Sequence, residues 1–204
     1  MFDQEVDVHD PSSFRRVIGR LWYLVNTRCD VCFAVQFVNQ FIQRPTIHHH
    51  HHVVEHILQY IKVAPAQDLS YSRKSDLHIK ACSDSDWASC SITRHSTTRF
   101  CIFLGESLVS WKNKKQSTVS RLSSKAKYRV LTSMSCELQW LPFLLKDLDT
   151  IISNMTCLYC DSQYAKHIAL NNNFYERSKH IDIDCHVVRE RLQQIFFTFS
   201  LFAL

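Results

Sequence analysis

Ser83-Asp84-Ser85-Asp86-Trp87-Ala88 places an aspartate where an alternating segment runs out. Upstream, Leu77 to Ser83 alternates well enough to predict a strand. Downstream, Arg99 to Leu104 and Ser107 to Lys112 predict two more, joined as a hairpin around Gly105-Glu106. Met155 to Asp161 reads as a fourth strand, again with an aspartate at its end. Between hairpin and fourth strand, Ser123-Ser124 predicts the cap of a long helix reaching about Leu148. Pro142 lies inside that run, where a lost helix hydrogen bond costs about 3 kcal/mol and predicts a kink or break. A helix near Ser162–Leu170, a loop at Asn171-Asn172-Asn173 and a helix over Lys179–Gln194 follow. Taken by themselves, Asp84 reads as a turn aspartate and Asp161 as the cap of the helix after it.

The front of the chain has a different period. Asp10-Pro11 opens a helix with an acceptor at the cap and proline in the first turn. Phe14, Val17, Ile18 and Leu21 follow at helical spacing. A second helical pattern runs through Val31, Ala34, Val35, Val38 and Phe41, broken by Arg44-Pro45-Thr46. Thr46 then caps a third, with Val53, Val54, Ile57, Leu58 and Ile61 on one face. The expected organisation is a helical segment over 1–63, a linker over 64–76 and an α+β unit over 77–191. In that unit a mixed sheet is flanked by helices. Residues 192–204 read as an unrelated apolar tail.

Composition narrows the function. Hydrophobic residues make up 46% of the 204, enough for a buried core. The net charge of +5 leans toward an anionic partner. Two glycines, Gly19 and Gly105, exclude a glycine-rich phosphate loop and with it P-loop and dinucleotide-binding readings. The acidic start Met1 to Asp7 is no secretory leader, and nine cysteines are an odd number in a chain too long for a disulfide mini-scaffold. The thiols are expected reduced and the protein intracellular. No apolar run approaches the ~18 residues of a membrane span, so no membrane partner is expected; nor is a small-molecule substrate.

The stretch Ser83 to Ala88 resembles the start of the ribonuclease H domain of copia-type retrotransposon polyproteins. The resemblance continues through Thr93-Arg94-His95-Ser96-Thr97-Thr98, Phe103-Leu104-Gly105, Ser110-Trp111-Lys112 and Lys114-Lys115-Gln116-Ser117-Thr118-Val119-Ser120-Arg121. It goes on in Tyr159-Cys160-Asp161-Ser162-Gln163 and Ser178-Lys179-His180-Ile181-Asp182-Ile183-Asp184. Asp10 to Arg16, Gly19 to Leu24 and Thr27-Arg28-Cys29-Asp30 resemble the segment joining reverse transcriptase to that domain. Motifs in the right order cover roughly residues 10–191.

That resemblance implies a nuclease for the RNA strand of RNA–DNA hybrids. It would use two Mg²⁺ about 4 Å apart, held by four acidic residues. Asp84 matches the first acid and Asp161 the one ending the later strand. Relatives read Ser-Ser, any residue, Glu-Ala-Glu-Tyr, with the second Glu a metal ligand; this chain reads Ser123-Ser124-Lys125-Ala126-Lys127-Tyr128. Lys127 stands at the ligand position, where an ammonium group repels a cation. The fourth acid, expected after a last strand, is not found. The resemblance fades near Val188-Arg189-Glu190-Arg191, and Leu192 to Leu204 has no acidic residue, as a shifted reading frame would leave it. The expectation is a decayed, non-catalytic unit that lacks its last strand and helix. Its sheet edge would be unpaired, and Mg²⁺, the ancestral cofactor, would no longer be held productively. The alternatives are a live Mg²⁺-dependent nuclease and a module that grips nucleic acid without cutting.

Other signals read more plainly. Lys112, Lys114, Lys115 and Arg121 beside Trp111 are candidate phosphate contacts, although a charge run is usually a solvated face. His48 to His52 reads as an exposed, expanded helix start. Cys29-x-x-Cys32 and Cys157-x-x-Cys160 lie too far apart in sequence for a zinc ribbon, and the second pair points to opposite faces of a strand. His180 and Asp184, a helical turn apart near Cys185 and His186, read as a solvated face.

Overall fold

The structure is a computed structural model that describes residues 11–43, 45, 52–150, 156–163, 167, 182–194 and 197–201. The chain divides into two compact units, Met1–Leu69 and Ser70–Leu204.

The first unit is helical: α1 (Pro11–Leu24), α2 (Cys32–Asn39) and α3 (Glu55–Val63), with a 3₁₀ turn over Cys29–Val31. The spacing of Phe14, Ile18 and Leu21 buries one face of α1 against Val31, Val35 and Val38, and Val54 and Ile57 complete that core. A π turn over 52–54 precedes α3, and Val54 stands at its cap. Thr46 and most of the histidine run lie outside the described residues; His52, within the turn, is exposed. Arg28 ties the turn between α1 and α2 to the end of α3. Its guanidinium donates to both oxygens of Asp30 (3.0 and 2.8 Å) and to the Ala64 carbonyl (2.8 Å), and lies over the Tyr60 ring. This pair holds the Asp30 carboxyl below its ordinary range.

The second unit is a five-stranded mixed sheet in the order β3-β2-β1-β4-β5. Its strands are β1 (Ile79–Asp86), β2 (Thr97–Leu104), β3 (Ser107–Lys115), β4 (Thr156–Cys160) and β5 (Phe197–Leu201). β1, β2 and β3 are antiparallel neighbours; β4 runs parallel to β1, and β5 parallel to β4. Gly105 adopts φ +61° in the two-residue loop between β2 and β3. A Cβ there would meet Ser75 and the Asp76 carbonyl, so only glycine fits.

One face of the sheet is sealed by α4 (Ser123–Asp147) and α5 (Asp182–Gln194). Tyr128, Leu131, Met134 and Leu138 of α4 pack on Ile79, Ala81, Phe100, Ile102 and Leu158, with Cys185 and Val188 of α5 beside them. Each such large side chain contributes about 1.5–3 kcal/mol by leaving water.

Several expectations are corrected. The sheet does not end at β4. The tail read as unrelated supplies β5, because Phe197-Thr198-Phe199-Ser200-Leu201 has the alternation and propensity of a strand. β1 extends through Asp84 to Asp86, so Asp84 lies inside the strand. β2 and β3 are also longer than predicted. The cap of α4 is Leu122 in extended conformation, not Ser123, and no side chain caps it. Pro142 does not break α4; Leu138, Leu141 and Leu145 stay buried on either side of it, and that packing outweighs one lost hydrogen bond.

Candidate functional site

β1 and β4 bring the two predicted aspartates to one level of the sheet. Ser83 pairs with Cys160, so Asp84 and Asp161 each follow a paired position. Parallel neighbours lie about 4.8 Å apart, and matched positions share a face. Ser83 and Cys160 are buried; the two aspartates after them are exposed. The Ser85 N–H donates to Asp84 Oδ1 at 2.6 Å.

Lys127 enters from the start of α4. That start is fixed by the segment before it. Gln116 is buried; its N–H donates to the Ser96 carbonyl (2.8 Å) and its Nε2 to Thr98 Oγ1 (3.2 Å) and the Ala126 carbonyl (3.0 Å). The Trp87 indole donates to the Ser120 carbonyl (2.8 Å), and Arg129 to the Thr118 carbonyl (3.1 Å). Held in this way, Lys127 Nζ donates to Asp161 Oδ2 in an ion pair, with the lysine 23% and the aspartate 35% exposed. The cation expected to repel a metal instead occupies one of the carboxylates a metal would need.

A second ion pair lies beside it. Arg99 stands opposite Asp84 in the β1–β2 register, yet its guanidinium donates to Asp86. Sequence reading missed this pair. Asp86 is visible as a same-face neighbour of Asp84, but only the strand register shows that Arg99 arrives there.

A two-ion Mg²⁺ centre needs hard oxygen ligands free to coordinate. Here Asp161 and Asp86 are each engaged by a cation, and Asp84 accepts a backbone N–H. This donor set does not fit such a centre. Among the described residues no group of three or more His, Cys, Asp or Glu is placed to hold a metal ion. His180 lies outside them. Cys157 and Cys160 of β4 do face opposite ways: Cys160 is buried, Cys157 half-buried. Burial pushes the Cys160 thiol up.

The candidate phosphate contacts separate. Lys112 is turned inward, donating to Ser133 Oγ of α4 (3.0 Å) and lying over the Phe100 ring. Lys115 sits near the Cys90 sulfur (3.8 Å), whose thiol is lowered to about 7, with hydrogen bonds from the Thr93 side chain and backbone outweighing burial. Lys114 and Arg121 are exposed.

The strand order, with three antiparallel strands followed by two parallel ones and helices on one face, defines a ribonuclease H-like α+β unit. Solved structures that resemble the chain include LC11-RNase H1 isolated from compost by a metagenomic approach. It has 11% identity and a TM-score of 0.47, and covers 62% of this chain and 84% of that one. A foamy viral protease-reverse transcriptase in complex with double-stranded DNA covers 100% of this chain and 33% of that one, with 11% identity and a TM-score of 0.53. No protein-family model matches the chain. The retrovirus-related Pol polyprotein from transposon RE1 of Arabidopsis thaliana is 35% identical over 184 residues, 90% of this chain. The chain belongs to the retrovirus-related Pol polyproteins of copia-type transposons and spans 12% of that relative's length.

Proposed function

We propose that the ribonuclease H-like unit of this Pol polyprotein segment no longer cleaves RNA–DNA hybrids by two-metal chemistry. The observation that carries the reading is the Lys127–Asp161 ion pair. The ammonium stands where the family resemblance places a carboxylate ligand, and it neutralises a second one. Loss of metal ligands removes the electrostatic stabilisation on which phosphodiester cleavage depends. With that chemistry gone, the protein is a remnant of an ancestral nuclease. No described helix is long and apolar enough to cross a membrane. The test is Mg²⁺- or Mn²⁺-dependent cleavage of a labelled RNA–DNA hybrid by the purified chain, with Asp84→Asn beside it. No cleavage above buffer is expected from either. Cleavage by the parent chain that disappears in Asp84→Asn would overturn the reading.

A second reading, binding without cutting, is favoured by the exposure of Lys114 and Arg121. Phosphate contacts make affinity fall steeply with salt. Hybrid affinity measured in chelator from low to physiological salt should show that slope, and Lys114→Ala should flatten it. A salt-independent affinity rules the reading out.

A further inference from the structure

The sheet face opposite α4 holds a feature that the nuclease reading does not use. Cys82 of β1 and Cys101 of β2 are direct partners in the antiparallel register. Their strand neighbours fix which way they point. Ala81 and Ser83 are buried on one side of Cys82, and Phe100 and Ile102 on the same side of Cys101. Both cysteines therefore project from the other face, and both are half-buried thiols.

Opposed residues of antiparallel strands have Cα atoms about 4.5–5.5 Å apart and Cβ atoms about as far. A disulfide requires Cα atoms about 4.4–6.8 Å apart and Cβ atoms about 3.5–4.5 Å apart. The Cα atoms fall inside that range, while the Cβ atoms, in the hydrogen-bonded register that the Gly105 N–H to His78 carbonyl bond sets, lie about 1 Å wide of it, so closure strains the ladder without changing the register. The other nearby cysteines are less well placed. Cys157 pairs with Lys80 and lies diagonally from Cys82, about 7–8 Å away. Cys160 follows on β4 but is buried on the covered face.

We propose that Cys82 and Cys101 form a cross-strand dithiol that closes to a disulfide when it meets a peroxide. One thiolate attacks the peroxide O–O bond and takes one oxygen; the other oxygen leaves as hydroxide and is protonated to water. The second sulfur then attacks the sulfenic sulfur. The S–S bond forms, the S–O bond breaks, and hydroxide leaves as a second water. Two thiols lose two electrons and two protons, and one peroxide is reduced to two waters. A dithiol reductant reverses the closure. The bond would tie β1 to β2 two residues before Asp84.

The experiment exposes the purified full chain to hydrogen peroxide, blocks remaining thiols by alkylation, and maps peptides without reduction. The expected result is a linked peptide joining Cys82 to Cys101 that disappears with dithiothreitol. It should be lost in Cys82→Ser and in Cys101→Ser and retained in Cys157→Ser. Three outcomes overturn the proposal while circular dichroism stays unchanged: both thiols remain alkylatable, either is carried to sulfinate, or either pairs instead with Cys157. The parent chain's peptide map decides the matter even where a serine variant fails to fold.

Discussion

The two faces of the sheet are made from alternate residues of the same strands, yet they do different work. On the face beneath α4, Ile79, Ala81, Phe100, Ile102 and Leu158 are almost fully buried and wholly apolar. On the other face, the residues between them are Lys80, Cys82, Asp84, Arg99 and Cys101, all partly or fully exposed. The difference separates what folds the unit from what gives it chemistry. The packed face tolerates little change, because a cavity there costs both contacts and transfer energy. Just past the end of β4, a carboxylate partner can be traded for a lysine with the fold intact.

The largest effect expected from this contrast is on stability. Phe100→Ala should cost about 3–5 kcal/mol in urea unfolding, whereas Cys82→Ser, one step across the sheet, should cost under about 1 kcal/mol. Equal costs would erase the distinction. A smaller effect is expected at the ion pair. Lys127→Glu places a carboxylate beside Asp161 and in metal-free buffer should cost under about 1 kcal/mol, since the pair is part-exposed and screened. Added Mg²⁺ should then raise the variant's melting temperature and leave the parent's alone. An equal Mg²⁺ response in the parent would mean that the lysine does not exclude the ion. The smallest effect concerns Asp184 of α5, on the covered side, whose carboxyl is pushed up by burial. An acid whose folded value is raised binds more protons folded than unfolded. Its contribution therefore falls as the pH rises from its ordinary 3.8 through the raised value. Asp184→Asn should remove that slope and shift stability at neutral pH by under about 1 kcal/mol. A melting curve whose pH slope above 3.8 survives the substitution would place the cause elsewhere.

In the helical unit, Asp30 gives the opposite sign. Arg28 lowers its carboxyl, so its stabilisation is full above the ordinary 3.8 and is lost as the pH falls below that through the lowered value. Arg28→Met should abolish that acid limb, read by circular dichroism.

Much of this was legible from residue spacing. Phe14, Ile18 and Leu21 announced α1, and Gly105-Glu106 announced the hairpin. The burial alternation of β1 follows from its period of two. Asp84 and Asp161 were readable as acids near strand ends, but their shared level depends on a parallel pairing between segments far apart in sequence. The charge of Lys127 was visible and its partner was not, since that contact needs the start of α4 held by Gln116. β5 was missed because a short apolar run without acids is equally compatible with a core helix, a strand or no structure. Only the unsatisfied edge of β4 selects among them.

That late pairing has a consequence for synthesis. β1, β2 and β3 follow one another closely in the chain and pair with one another, so their ladder can form before β4 is made. β4 gains its outer neighbour only after Phe197–Leu201 has cleared the exit tunnel. Until then the nascent chain displays a row of bare amides and carbonyls along β4. In that interval a stalled or prematurely terminated product would be open to capture by a chaperone or by another copy of itself.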